Sequence, residues 1–151
     1  MTSPAQPLRL SISSNPSHLP VVRAAVEKVC EILGFDCDTV GNVVLGVDEA
    51  LANIIKHAYH GRQDQPIEIE LAPLHDADGS IELLIRMRDH GLEVDPSSIK
   101  GRDLDDIRPG GLGVHIMKHC MDRLEYRPAE GGGTILTMAK RFPTVRKEIG
   151  R

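Results

Sequence analysis

The chain has 151 residues, of which 40% are hydrophobic, and it carries a formal net charge of −4. This length fits one domain with a single core, and the composition is ordinary for a globular protein. The acidic balance argues against direct nucleic-acid binding, for which a basic patch is typical. No apolar run approaches the roughly 20 residues that cross a bilayer, so we expect no membrane segment.

The N-terminal residues and the cysteines bear on the cellular compartment. Residues Met1 to Pro7 lack the charged and apolar regions of a secretion signal. The three cysteines are odd in number and form no CxxC pair, so we interpret Cys30, Cys37 and Cys120 as reduced thiols. We therefore expect a cytoplasmic protein.

The first predicted elements are a strand and a helix. Leu8, Leu10 and Ile12 alternate with polar residues, which predicts a half-buried strand. A helix is predicted from about Leu19 to Leu33, and Gly34 stops it. The apolar periodicity predicts an inward face that comprises Val22, Ala25, Val26, Val29, Ile32 and Leu33.

A second and longer helix is predicted from about Thr39 to His60, with Asp38 as its cap and Gly61 after its end. At about 100° per residue, one side of this helix is apolar and comprises Val40, Val44, Val47, Leu51, Ile54 and Ala58. The opposite side is polar and comprises Asn42, Glu49, Asn53, Lys56 and His60. Candidate functional side chains therefore lie opposite the side that faces the core.

Two strands joined by a turn follow this helix. The alternation of apolar residues with glutamates from Ile67 to Leu71 predicts one strand. The segment from Ile81 to Arg88 predicts a more apolar strand that ends at Asp89, and Pro73 to Gly79 is interpreted as the turn between the two.

The rest of the chain completes the predicted architecture. Pro96 to Gly111 is charged, contains glycine and proline and lacks periodicity, which is typical of a functional lid. Leu112 to Met121 predicts a short helix, and Arg123 to Arg127 with Thr134 to Arg141 predicts a hairpin. This order of elements predicts an α+β two-layer sandwich, in which helices cover one face of a mostly antiparallel sheet.

The polar residues of the second helix and a later glycine cluster indicate a shared chemistry. Glu49 and Asn53 stand four residues apart and therefore share one helix face, where a carboxylate can accept a proton and an amide oxygen can bind Mg²⁺. Gly110, Gly111 and Gly113 lie at the start of the predicted short helix, where free N–H groups attract phosphate. Each feature alone is ordinary, as a solvated helix face or a flexible loop. Together they indicate an ATP pocket.

Four segments resemble the motifs of GHKL-superfamily ATPase domains, the group that includes gyrase, heat-shock chaperones, histidine kinases and MutL. They are an N box at Glu49 to His57, a first glycine box at Asp89 to Pro96, a second at Arg108 to Met117 and a glycine–threonine strand at Gly131 to Leu136. The resemblance runs over about residues 8–141, the expected core of a single domain that spans residues 1–151. The Asp95-Pro96 ending of the first glycine box is typical of RsbW/SpoIIAB-type anti-sigma factor serine/threonine kinases.

The resemblance implies the Bergerat fold and a role for each motif residue. Glu49 would be the general base of phosphoryl transfer, and Asn53 would be the Mg²⁺ ligand. Asp89 would accept the adenine amino group, Gly91 would let the ring approach, and Thr134 would join the adenine through its hydroxyl. The other candidates for contact with ATP or ADP are Lys56, Arg108, Gly110, Gly111, Leu112 and Gly113, with Arg102 as an alternative lid cation.

The resemblance also implies a function and partners. The chain would be an anti-sigma factor that binds a sigma factor and phosphorylates a STAS-type antagonist protein, in a partner-switching system that regulates transcription. A homodimer is a further expectation. Two alternatives stay open: a non-catalytic module of the same fold that sequesters a partner, and a detached histidine-kinase catalytic domain. Glu49 favours the kinase over the first alternative, and Asp95-Pro96 with the short length favours it over the second.

Overall fold

The structure is a computed structural model that describes residues 6–91 and 112–142. In chain order, its strands and helices are β1 Leu8–Ser13, α1 Leu19–Ile32, α2 Cys37–Asn53, β2 Pro66–His75, β3 Ile81–Asp89, α3 Leu112–Cys120, β4 Arg123–Pro128 and β5 Thr134–Phe142. A short 3₁₀ turn, Pro16–His18, precedes α1, and a π-helical turn, Ile54–Ala58, continues α2. None of the described helices is long and apolar enough to cross a membrane.

The five strands form one antiparallel sheet in the order β1-β2-β3-β5-β4, and the helices cover one of its faces. Alternate residues of β2 and β3 are fully or almost fully buried beneath the helices: Ile67, Ile69, Leu71, Leu83, Ile85 and Met87. The opposite face is charged. There the Glu70 carboxylate lies 3.1 Å from Arg9 Nε and 3.8 Å from Arg86 Nη1. The predicted α+β two-layer fold is confirmed.

Helix α1 begins and ends close to the predicted residues, but its buried side is rotated. Val22, Val26 and Cys30 are fully buried, whereas Ile32 is 75% exposed. The prediction that Ile32 faces inward was therefore wrong. Cys30, about 200° further round the helix, is buried instead, because a reduced cysteine packs as a small apolar side chain, and burial raises the pKa of its thiol to about 12. Gly34, with φ of 86°, terminates the helix as expected.

Helix α2 begins at Cys37, and its cap is Asp36 rather than Asp38. The Asp36 carboxylate accepts a hydrogen bond from the Thr39 N–H at 3.0 Å, which is the usual N-cap geometry. The predicted apolar side is confirmed at Val47 and Leu51, which are fully buried.

The α-helical pattern stops at Asn53, where the sequence predicted a continuous helix to His60. The next turn is π-helical, and the Tyr59 N–H donates to the Ile54 carbonyl at 3.0 Å. A π turn holds one extra residue, which changes the direction of the side chains that follow it. Lys56 is consequently exposed, and Ala58 packs against the core.

The β2–β3 turn is shorter than predicted. Strand β2 continues to His75, and Pro73 pairs with Leu83 instead of lying in the turn. Strand β1 starts at Leu8, opposite Leu71, so Pro73 lies where β2 has a neighbour on one side only. Sheets tolerate proline at such edge positions. Gly79, with φ of 85°, lies in the actual turn.

Candidate functional site

One end of the candidate site lies where α2 meets α3. Glu49 and Asn53 are half-buried on α2, and Gly113 of α3 is buried against them. A methyl group at Gly113 would lie 2.7 Å from Glu49 Oε2 and 3.5 Å from Asn53 Oδ1. An alanine at this position would require the Glu49 side chain to move away from the start of α3. The structure therefore brings the carboxylate, the amide and the start of α3 together.

At this end of the site, groups that attract an anion lie next to groups that attract a cation. The first N–H groups of a helix carry partial positive charge, and α3 begins at Leu112 beside the site. The Glu49 carboxylate supplies negative charge beside it, and the Asn53 amide oxygen supplies a partial negative charge. A phosphate at the helix start and a hard cation at the oxygens would each meet a complementary partner.

Of the other predicted phosphate-side residues, the structure describes Lys56 and Leu112. Lys56 is exposed on the π turn. Arg102, Arg108, Gly110 and Gly111, with the rest of the predicted lid from Pro96 to Gly111, lie outside the described residues. Leu112 is the first residue of α3.

The second end of the site lies at the end of β3. Asp89 is 5% exposed, and its Oδ1 accepts a hydrogen bond from the Gly91 N–H at 3.0 Å. Burial raises the pKa of the Asp89 carboxyl, while the N–H groups of Gly91 and Thr134 and the charge of His90 oppose that rise. A carboxylate has about four acceptor positions. Asp89 thus combines a buried acceptor with remaining capacity for a donor on a ligand.

Two glycines allow the segments around Asp89 to meet. A methyl group at Gly91 would lie 2.8 Å from the Ala58 carbonyl oxygen of the π turn. A methyl group at Gly133 would overlap the carbonyl oxygen of Asp89 and lie 2.9 Å from His90 Cα. Gly133 also has φ of 86°, a conformation that side chains disfavour. Thr134, the next residue, pairs with Asp89 across β3 and β5.

Tyr59 completes this end, and sequence reasoning missed it. Its hydroxyl donates to the Pro66 carbonyl at 2.6 Å and accepts from the His90 N–H at 2.6 Å. The side chain is 3% exposed, and burial raises its pKa, a rise opposed by the His90 hydrogen bond and reinforced by the charges of Asp89 and Glu68.

A signal for Tyr59 was present in the composition. The chain has only two tyrosines, two phenylalanines and no tryptophan, and Tyr59 lies near the end of the second predicted helix, next to His60 of its polar side. A tyrosine that is buried usually needs a partner for its hydroxyl. The identity of that partner depends on strands that come later in the chain, which no local pattern contains.

The fold and the arrangement of these residues are those of an ATPase domain of the GHKL type. The chain belongs to the family of histidine kinase-like ATPase domains, whose profile matches residues 12–140. Membership of this family implies an ATP site, and it confirms the resemblance on which the sequence interpretation rests.

Among curated relatives, the chain is similar to the serine-protein kinase RsbW of Listeria monocytogenes, with 25% identity over 138 residues that cover 86% of this chain and 85% of the relative. The serine-protein kinase RsbW of Bacillus subtilis is 21% identical over 146 residues, which cover 93% and 88% of the two chains. The resemblance to RsbW-type proteins is thus confirmed at the level of the family and its named members.

Two solved structures share the fold. The RsbU and RsbW domains of a Mycobacterium tuberculosis protein match with a TM-score of 0.58 and 17% identity, over 93% of this chain and 34% of that one. The SiaB–SiaC complex from Pseudomonas aeruginosa matches with a TM-score of 0.60 and 13% identity, over 89% of this chain and 88% of that one. At these identities the likeness establishes the fold alone.

Proposed function

We propose that the chain is an ATP- and Mg²⁺-dependent protein serine/threonine kinase that acts as an anti-sigma factor. The observation that carries the proposal is the convergence of Glu49, Asn53 and Gly113 at the start of α3. A proton acceptor, a hard oxygen ligand and a helix N-terminus are the parts that phosphoryl transfer requires. The curated relatives named serine-protein kinase RsbW support the same activity.

Glu49 is the proposed general base. A serine or threonine hydroxyl of the substrate protein attacks the γ-phosphorus of ATP, the bond to the β-phosphate oxygen breaks, and ADP leaves. The hydroxyl proton passes to Glu49, whose Oε2 faces the start of α3. The carboxylate is half-buried, so it can reach a substrate side chain and return the proton to water afterwards.

Asn53 fits the role of a Mg²⁺ ligand. Its amide oxygen faces the same space as Glu49 Oε2, and Mg²⁺ takes few protein oxygens beside nucleotide phosphates and water. Mg²⁺ bound there would neutralise phosphate charge. Asn53 itself holds its oxygen on the last residue of α2, where the change to a π turn fixes its position.

The adenine is proposed to lie at the β3 end. Asp89 accepts a hydrogen bond from the adenine amino group, Gly91 leaves room for the ring, and Thr134 adds its hydroxyl. The proposed lid, residues 96–111, then closes over the phosphates with Arg108 or Arg102 as its cation, and Lys56, Gly110 and Gly111 complete the phosphate contacts.

The proposed partners are a sigma factor and a STAS-type antagonist, and a second copy of the chain is the proposed dimer partner. The antagonist displaces the sigma factor, and its phosphorylation frees the kinase to bind the sigma factor again. In this scheme the protein regulates transcription through exchange of partners, without contact to nucleic acid. The low identity to the kinases, 25% or less, is why the substrate must be found by experiment.

Incubation of the purified protein with ATP, Mg²⁺ and a STAS-type antagonist from the same genome tests the proposal. We expect a phosphorylated antagonist, and we expect none with Glu49→Gln. Glu125→Gln is the matched control, because Glu125 is an exposed carboxylate on β4. Tight binding of a partner without transfer would instead indicate the sequestering module, and transfer from ATP to a histidine of a partner protein would indicate the histidine-kinase alternative.

A further inference from the structure

Tyr59 lies where three parts of the site meet. It follows the π turn that continues α2 from Asn53, and its hydroxyl joins the first residue of β2 to the residue after β3. At 2.6 Å each, the two hydrogen bonds are short for their types. Both are shielded from water, because the side chain is almost completely buried.

The His90 N–H belongs to the peptide unit that joins Asp89 to His90. Its hydrogen bond to the Tyr59 hydroxyl fixes the plane of that peptide. The next N–H, that of Gly91, donates to the Asp89 carboxylate at 3.0 Å. Two successive N–H groups therefore hold the turn, one toward Tyr59 and one toward Asp89. The direction of the Asp89 carboxylate depends on both.

The π turn supplies the other support of this junction. The Ala58 carbonyl, one residue before Tyr59, lies so close to Gly91 that a methyl group there would approach its oxygen to 2.8 Å. An ordinary α-helical turn would carry one residue fewer and would present Tyr59 in another direction. The segment from Asn53 to Tyr59 thus connects the phosphate end of the site to its adenine end.

We propose that Tyr59 is a positioning residue for adenine recognition, in which its hydroxyl orients the Asp89–Gly91 turn and so directs the Asp89 carboxylate at the base. This inference rests on the proposed function, because it requires ATP with its adenine at Asp89. The Tyr59 hydroxyl forms its hydrogen bonds at the proposed adenine end, with Pro66 and His90. Its loss should consequently change adenine affinity and leave phosphate affinity unchanged.

Ser14 provides a matched control. This serine is fully buried, and its hydroxyl donates to the Arg62 carbonyl and accepts from the Gln65 N–H at 3.1 Å. It therefore joins two backbone groups of the segment that connects the π turn to β2. Tyr59 likewise joins Pro66, where that segment ends, to His90. Ser14 has no contact with the Asp89 turn among its hydrogen-bond partners in the described residues.

The test compares the dissociation constants of Mg²⁺–ATP and Mg²⁺–tripolyphosphate by calorimetry for the wild type, Tyr59→Phe and Ser14→Ala. We expect Tyr59→Phe to raise the dissociation constant of ATP about tenfold and that of tripolyphosphate less than about twofold. Tenfold is the effect of losing one well-directed hydrogen bond to a charged group. Ser14→Ala should lower the unfolding temperature and leave the ratio of the two constants unchanged. Tyr59→Phe added to Asp89→Asn should weaken ATP no further than Asp89→Asn does alone.

A Tyr59→Phe protein that is folded and retains the wild-type ratio would overturn the inference. Hydrogen exchange of the wild-type chain is a second test that needs no variant. The His90 amide should exchange slowly without nucleotide, and fast exchange there would refute the Tyr59 contact. A wild type that binds tripolyphosphate and ATP equally would instead refute the adenine site itself, and with it the proposed function.

Discussion

Gly133→Ala tests how closely β5 approaches Asp89, and Gly131→Ala is its control. The two glycines lie in the same turn and have nearly equal φ angles, 86° and 84°. They differ in their surroundings. A methyl group at Gly131 meets nothing within 4 Å, whereas one at Gly133 overlaps the Asp89 carbonyl and lies 2.9 Å from His90 Cα.

The difference between the variants isolates the steric effect. A left-handed φ costs an alanine about 1–2 kcal/mol at either position. At Gly133 the added methyl must also displace backbone atoms, and overpacking of this kind costs roughly 1–3 kcal/mol more. We therefore expect Gly131→Ala to lose about 1–2 kcal/mol of unfolding free energy and Gly133→Ala about 2–5 kcal/mol.

Urea unfolding followed by circular dichroism measures both losses of unfolding free energy. The slope of that free energy against urea concentration should be the same in both variants and the wild type, which shows that only stability has changed. Thermal unfolding should agree, at about 2–4 °C for each kcal/mol in a chain of this size. Equal losses in the two variants would contradict the close contact of β3 with the β4–β5 turn. Gly133→Ala should in addition weaken ATP, because Asp89 is displaced, while Gly131→Ala should not.

Three further predictions concern the chemistry of the site. Glu49→Gln should reduce transfer to the antagonist by on the order of 10²–10⁴-fold in a phosphorylation assay, with ATP affinity nearly normal; a fully active variant would exclude Glu49 as the base. Asn53→Ala should weaken Mg²⁺–ATP in calorimetry and recover part of its activity at high Mg²⁺, because a lost ligand lowers metal occupancy; a loss that no Mg²⁺ concentration restores would argue against that role. Burial raises the pKa of Asp89 above its usual 3.8, so this carboxylate takes up a proton at a higher pH than an exposed one. A protonated Asp89 is a weaker acceptor, and ATP affinity should therefore fall as the pH drops through the raised pKa. Asp89 also binds its proton more tightly in the folded than in the unfolded chain, so its contribution to the free energy of unfolding should rise as the pH drops over the same range. Asp89→Asn should abolish the pH dependence of both ATP affinity and this contribution.

The sequence predicted those parts of the molecule that local periodicity controls. The side of α2 that carries Glu49 and Asn53 follows from a repeat of 3.6 residues, and the buried residues of β2 follow from simple alternation. Family motifs, in their order along the chain, indicated Asp89 and Gly113, whose roles stay predictions. The predictions from periodicity succeeded because each depends on residues within a few positions of one another.

Features that depend on distant contacts were not predictable in this way. Ile32 and Cys30 are both apolar enough to face inward, and the packing of α1 against α2 decides between them. The π turn arises where Ala58 and Tyr59 meet Gly91 and His90 from another part of the chain. Pro73 can continue β2 because β1 begins only opposite Leu71 and leaves Pro73 without a neighbour on that side. In each case tertiary contacts outweigh the local preference.

The order of strands also has a consequence for folding kinetics. The central pair, β3 and β5, joins segments that are separated in the chain by α3 and β4. Pairing of remote segments has an entropic cost, because a long loop must close before the stabilising contacts form. Chains rich in such pairings fold in about milliseconds to seconds. Asp89 and Thr134 face each other at the end of this pair. The proposed adenine end of the site therefore forms only when the central sheet does, and we expect nucleotide to give no stability to a partly folded chain that contains only α1 and α2.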